Sequence, residues 1–389
     1  MYVGQHAAAV VHIGEAINRP PRYPSFAEPC EPRWGRWWLA LPLLWGMQSA
    51  VLLSLWPADR PRLELWLWSA VLPLGWGLAL ALRVLPWQIG LFRRDVFRRT
   101  QDDDTRRWWR WRSLALPVEE MLLLGPAGDD QTYFQDLMND TPLPTPTAAL
   151  SLNCPVVLGQ SAERTPALAQ HLARLVLELA TVSERWPRLR AIAWAGGESD
   201  LAAFEKMLGS QGNELPKVRL PLQDLADLDE LIDIFNQECR HADDWLLCAG
   251  VVSAQSGEAA APPGEGGFLW VVSRQGRQLL HRSEYLSGET HEPAAELCSQ
   301  IQRYAGLQAP PPTCLAMDQA SQEAFLAGGW SALEHQLAGH WGALAHLAPF
   351  IGMSLALLQA KEAGQPCGWL SQDADKRLAI GVAQPHGNG

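Results

Sequence analysis

Trp37–Trp56 reads WWLALPLLWGMQSAVLLSLW and Leu65–Leu82 reads LWLWSAVLPLGWGLALAL, and neither stretch holds a charged residue. A hydrocarbon core about 30 Å thick needs about 20 apolar residues, at a rise of about 1.5 Å each, to be crossed by a helix. Each stretch is long enough. Between them Pro57–Glu64 (PADRPRLE) leaves room only for a tight connection. Trp37–Trp87 therefore reads as a transmembrane helical hairpin with both ends on one side. Trp37, Trp38, Trp45 and Trp56, then Trp66, Trp68, Trp76 and Trp87, fall mostly near the ends of the runs. There an apolar ring sits in lipid while its N–H meets the wet headgroups. Pro42 and Pro73 would break a soluble helix but are tolerated in a membrane. Two core helices of a globular all-α domain would show a polar stripe, and these runs have none.

Arginine placement orients the hairpin. Arg19, Arg22, Arg33 and Arg36 precede it, and Arg93, Arg94, Arg98, Arg99, Arg106, Arg107, Arg110 and Arg112 follow it. The connection carries only Arg60 and Arg62, beside Asp59 and Glu64. Positive charge stays inside, so both termini are expected in the cytoplasm of a bacterial inner membrane. A secretory signal peptide is excluded for the first run, since no small-residue cleavage site follows it and a long polar stretch precedes it. The expected organisation is a flexible cytoplasmic arm over 1–36 and the hairpin over 37–87. A basic juxtamembrane segment over 88–113 and an α/β domain over 114–389 follow, the last in two halves of about 114–285 and 286–389. PPRYP and EPCEPR keep a long helix out of the arm, with a short one possible over Val3–Ile17.

Phe92–Arg112 (FRRDVFRRTQDDDTRRWWRWR) interleaves arginine with Trp108, Trp109 and Trp111. The expected contact is lipid, with Arg on the phosphates of the anionic leaflet and Trp at headgroup depth. Bases stacking on aromatic rings are the rival partner. The position beside a membrane span and the net charge of −11 both argue against nucleic acid. Seven cysteines without a CxxC pair fit reduced thiols rather than a disulfide framework.

From Leu114 short apolar runs alternate with amphipathic stretches. Strands are expected at Met121–Leu124, Pro155–Leu158, Arg190–Ala195, Trp245–Val252, Gly267–Ser273 and Thr313–Met317, with a closing pair at Cys367–Leu370 and Leu378–Val382. Helices are expected over Thr165–Trp186, Leu201–Leu208, Asp227–His241, Glu292–Ala305, Trp330–Leu337 and Leu347–Ala363. In Thr165–Trp186, for example, Leu168, Leu172, Leu175, Leu179 and Val182 recur every three or four residues. The alternation predicts a layered α/β domain with a substantially parallel sheet.

CLAMDQAS from Cys314, GHWGALAHLAPFIGMSLALLQAKEAGQPCG from Gly339, and LAIGVAQP from Leu378 to Pro385 follow one another in the last part. This order resembles the C-terminal half of the thiolase and β-ketoacyl synthase folds. In those folds a G-H-x-G-A stretch, matched here by Gly339, His340, Gly342 and Ala343, opens an apolar helix that a strand pair closes. The resemblance implies a thiolase-like cytoplasmic domain. It also implies a nucleophilic Cys at a tight strand-to-helix turn and a second histidine in an E-A-H-G-T-G-T loop. Cys154, in LSLNCPVVL, instead precedes Pro155, which disfavours a helical start there. No histidine stands near Met317–Ala320. The fold is thus expected without its chemistry, and Cys154 with His340 is the one nucleophile–base pair to test.

No metal or cofactor is expected. His335, His340 and His346 are spaced five and six apart, which on one helix points neighbours to different faces, whereas zinc motifs use three or four. GPAGDD after Leu124 lacks the third glycine of a dinucleotide loop. GGES is a helix start capped by Ser199 or Asp200. The expectation is a membrane-anchored, non-catalytic adaptor or scaffold that binds another protein. By analogy it would serve a membrane machine such as a secretion system. The alternatives are a thiolase-like acyl-transfer enzyme near the membrane, or a structural subunit of a membrane complex.

Overall fold

A computed structural model describes residues 19–21, 23–57, 61–125, 128–138, 161–179, 182, 185–253, 264–286, 293–332, 335–342 and 344–387. The chain divides into two compact units, Met1–Trp109 and Arg110–Gly389.

The first unit is built from α1 (Trp34–Leu55) and from α2, which runs as a single helix over Arg62–Arg112 and whose last three residues belong to the second unit. Both helices carry an 18-residue window apolar enough to cross a membrane. No residue of α1 is buried. The helices meet through Trp34 and Trp87, edge to face at 6.0 Å, and through Gln48 Nε2, which donates to the Trp68 carbonyl. Pro42 lies inside α1 and Pro73 and Pro86 inside α2. The segment over 88–113 is therefore the continuation of α2 rather than a separate juxtamembrane piece. Its charges sit on helix turns, and neither Pro86 nor Gly90 stops the helix.

The described end of the N-terminal arm is tied to α2. Val3–Ile17 lies outside the described residues, but the end of the arm runs along α2. Phe26 meets Phe97 at 5.5 Å, the Tyr23 hydroxyl bonds Asp104, and Glu28 pairs with Arg94 at 3.2 Å. A side chain at Gly90 would come within 2.8 Å of Pro29, so glycine permits this approach.

The second unit is one mixed sheet with helices on its faces. Its strands are β1 (Ala115–Leu124), β2 (Leu189–Ala195), β3 (Val218–Pro221), β4 (Trp245–Ser253), β5 (Glu265–Ser273), β6 (Gln278–His281), β7 (Glu284–Tyr285), β8 (Thr313–Ala316), β9 (Cys367–Gln372) and β10 (Leu378–Pro385). They lie in the order β3-β2-β4-β5-β1-β6-β10-β9-β8, with β7 beside β10. Among the described residues only the strand pairs β2/β3, β2/β4 and β8/β9 run parallel. The expected predominance of parallel pairs does not hold, because β1, β5, β6 and β10 all enter antiparallel pairs.

This order is an internal duplication. In the first half β2 and β4 are parallel, β5 is antiparallel to β4, and β1 closes on β5. In the second half β8 and β9 are parallel, β10 is antiparallel to β9, and β6 closes on β10. Gln336, bridging Ala316 in parallel, occupies the place that β3 holds beside β2. The two first strands, β1 and β6, pair antiparallel and join the halves. The second half thus begins at Gln278, ahead of the expected boundary near 286.

The helices are α3 (Gln131–Met138), α4 (Ser161–Glu178), α5 (Glu198–Leu208), α6 (Leu225–Glu238), α7 (Ala294–Tyr304), α8 (Gln319–Leu326), the short α9 (Ala338–Trp341) and α10 (Ala348–Ala363). α6, α10 and α3 share one core that draws on strands of both halves, including Phe268, Trp270, Phe350 and Trp369. α4 and α5 form a second core with Trp194, Trp245 and Val271. Nearly all of Pro349–Leu358 is buried, so α10 is apolar all round, as a helix inside a core must be.

The strand expected at Pro155–Leu158 lies outside the described residues. Two other local expectations are corrected. Trp330–Leu337 holds no helix among its described residues, and Gln336 joins the sheet edge instead. The N-cap of α5 is Gly197, without a side-chain bond, so neither Ser199 nor Asp200 caps it. β3, β6 and β7 are too short to show a period.

Candidate functional site

Cys154 lies outside the described residues, so no geometry joins it to His340. His340 lies in the short α9, half-buried, and burial holds its imidazole below the usual pKa. His335 precedes α9 and His346 lies in a separate 3-10 turn, so the three histidines share no continuous helix. No group of His, Cys, Asp or Glu among the described residues is arranged to hold a metal ion.

The strand-to-helix turns, where a thiolase-type nucleophile would stand, hold other residues. After β3 the turn is Leu222–Gln223–Asp224, and the Asp224 carboxylate accepts from the Ala226 and Asp227 amides to cap α6. After β8 it is Met317–Asp318, where Asp318 accepts from the Ser321 amide to cap α8 and from the Gln372 amide. After β2 it is Gly196–Gly197. Five described cysteines are buried, namely Cys239, Cys248, Cys298, Cys314 and Cys367, and Cys30 is exposed. Burial pushes the Cys239 thiol up to about 11 and that of Cys298 up to about 12, and it raises Cys248, Cys314 and Cys367 further. None of these five is a thiolate at neutral pH.

The most elaborate polar arrangement lies where the last turn of α2 enters the second unit. Arg112 is fully buried. It binds Asp229 of α6 at 2.5 Å and Glu284 of β7, and its Nε donates to the Tyr304 hydroxyl at 3.1 Å. That hydroxyl donates to Glu284 at 3.0 Å and accepts from Gln300 Nε2 at 2.6 Å. Arg282, equally buried, binds Asp233 and lies 3.2 Å from Asp229. Trp111 donates its indole N–H to Asp233 at 2.8 Å, with the Arg282 guanidinium 4.8 Å above its ring. Burial alone would lower the Arg112 pKa, but Glu284 and Asp229 more than offset this and hold it above the usual arginine range.

Trp111 and Arg112 are therefore not lipid contacts. A guanidinium fork held by two carboxylates and a phenol is committed within the protein. The network draws Asp229 and Asp233 from the first half and Arg282, Glu284, Gln300 and Tyr304 from the second, so Arg112 fastens both. Sequence reasoning passed over all six. The available signal was the four-residue spacing of Asp229 and Asp233, which places both on one helix face. A second sign was the charged Arg282–Glu284 directly after the apolar LLH of β6.

No family model matches the chain, and no curated protein matches it. Among solved structures it is similar to the ishigamide ketosynthase/chain length factor, at 12% identity and a TM-score of 0.49, covering 70% of this chain and 100% of that one. It is also similar to the ketosynthase from module 1 of the bacillaene synthase of Bacillus amyloliquefaciens FZB42, at 9% identity and a TM-score of 0.48, over 72% of this chain and 77% of that one. A third is an HMG-CoA synthase complexed with CoA, at 11% identity and a TM-score of 0.44, over 70% of this chain and 82% of that one. At these identities and scores the likenesses carry nothing about residues or activity. The second unit is a mixed α/β sheet whose structural neighbours are ketosynthases and HMG-CoA synthases, the group that the motifs of Cys314–Pro385 resemble.

Proposed function

We propose that the chain is a membrane-anchored, non-catalytic adaptor. α1 and the first part of α2 would hold it in a bacterial inner membrane, and its α/β domain would bind another protein. The observation that carries this reading is the use of the turns after β3 and β8: Asp224 and Asp318 fill them as helix caps, where a thiolase-type enzyme would present a nucleophile. A capping carboxylate already satisfied by two backbone amides is held as a structural acceptor rather than offered to a substrate. The raised thiols of the buried cysteines support the same reading.

The test is site-resolved alkylation of the full-length, detergent-solubilised chain by iodoacetamide at pH 7, followed by mass spectrometry. Exposed Cys30 should be modified first, and Cys154 should not react ahead of it. Rapid, selective modification of Cys154 that is lost in His340→Ala would overturn the adaptor and put acyl transfer in its place.

A further inference from the structure

Eight arginines follow the apolar part of α2, and the helix geometry divides them. The Trp34–Trp87 pair marks where α1 and α2 stand level at one end of the hairpin, and tryptophan prefers the membrane interface. From Trp87 outward α2 continues without a break to Arg112. At about 1.5 Å per residue Arg93 stands about 9 Å and Arg98 about 16 Å along the axis from Trp87, whereas Arg106 and Arg107 stand about 28–30 Å away. The headgroup layer adds only about 5–8 Å per leaflet, and charges are screened over about 8 Å at physiological salt. Even a tilt of about 40° leaves Arg106 more than about 20 Å out, beyond both lengths together.

Ion pairing sharpens the division. Arg94 is paired with Glu28 at 3.2 Å, Arg99 with Asp95 at 2.7 Å, Arg106 with Asp103 at 2.7 Å and Arg107 with Asp104 at 3.9 Å. Arg33, Arg36, Arg93 and Arg98 are exposed and have no acidic partner among the described residues. All four lie within reach of the headgroup layer. On the reading of the hairpin as a membrane anchor, we infer that Arg33, Arg36, Arg93 and Arg98 form a binding surface for anionic phospholipid headgroups. The outer group, Arg106 and Arg107, takes no part in it. Each arginine brings a planar fork that meets a phosphate through two N–H donors. The outer arginines instead stabilise the standing helix through their aspartates, three residues apart.

The experiment is native mass spectrometry of the full-length protein in detergent, titrated with phosphatidylglycerol or phosphatidylcholine. Replacing Arg33, Arg36, Arg93 and Arg98 together by Gln should weaken phosphatidylglycerol retention on the order of a hundredfold or more, about fivefold per charge. Replacing Arg106 and Arg107 together by Gln should change it less than about twofold, and phosphatidylcholine retention should be unaffected by either. The fourfold Arg→Lys variant keeps the charge and should retain most of the binding, which separates loss of charge from loss of fold. Equal losses in the inner and outer variants would overturn the inference, as would an inner variant that keeps its phosphatidylglycerol. Recovery of the wild-type chain in the soluble fraction without detergent would overturn the anchor reading itself, and the inference with it.

Discussion

Arg98 and Arg112 stand fourteen residues apart on one helix and meet opposite surroundings. Arg98 is exposed with no acidic partner among the described residues, whereas Arg112 is buried between Asp229, Glu284 and Tyr304. The residue type and the local sequence, Arg beside aromatic side chains, are nearly the same at both places. A run of Arg and Trp is thus two kinds of site, and what faces each turn of the helix decides which. For an exposed arginine the partner is solvent or lipid, and the charge costs little. For a buried one, desolvation must be offset by carboxylates brought from distant parts of the chain.

The coarsest way to break this contrast is to remove the hairpin. A chain lacking Trp37–Trp87 should move wholly from the membrane to the soluble fraction. A reporter fused after Gly389 in the intact chain should behave as cytoplasmic, and one inserted at Asp59 as periplasmic. Periplasmic behaviour of the C-terminal fusion would reverse the orientation.

The next largest effect belongs to the network. Arg112→Ala leaves Glu284 buried without its cation and Asp229 with Arg282 alone, and should cost about 3–5 kcal/mol of unfolding free energy. Arg98→Ala should lie within about 0.5 kcal/mol of wild type. Guanidinium unfolding of the detergent-solubilised chain, followed through tryptophan fluorescence, would compare the two. Arg112→Lys should recover only part of the loss, since an ammonium lacks the fork that spans both carboxylates. Similar small losses for Arg98→Ala and Arg112→Ala would erase the contrast.

His281 tests the same junction by pH. It lies on β6 opposite Ala115 of β1, buried, with no hydrogen-bond partner for either ring nitrogen among the described residues, and burial lowers its pKa to about 4. The unfolded chain takes up this proton near pH 6.5, so the contribution is fully present above that value. It is lost as pH falls toward about 4, by about 3 kcal/mol in all. His340 and His346, also lowered by burial, add with the same sign. Unfolding curves at pH 7 and pH 4.5 should converge in His281→Leu relative to wild type. An unchanged pH dependence in that variant would remove His281 from the account.

The smallest effect is the cap. Asp224→Ala should cost about 1 kcal/mol through the loss of the carboxylate that accepts from two amides at the start of α6. Measured against Arg112→Ala, it separates a local bond from a network that ties two halves together.

Several features were legible in residue order because they depend on neighbours in sequence. Two uncharged runs long enough for a bilayer mark α1 and α2, since a helix with no polar stripe has to be covered on every side. α10 has the same character over 16 residues, yet at about 24 Å it is too short to span, and the protein itself covers it. The amphipathic periods of α4, α6 and α7 and the long apolar β4 and β5 were equally visible, as were the motifs shared with the thiolase group.

Tertiary structure alone decided the rest, because it depends on groups far apart in sequence. The antiparallel returns of β5 and β10, and the pairing of β1 with β6 that joins two repeated halves, leave no period in a four-residue strand such as QLLH. Tyr304 and Arg112, 192 residues apart, meet only because both halves close on the end of α2. Sequence counts charges. Burial and distance decide which of them stay exposed and which the core has already taken.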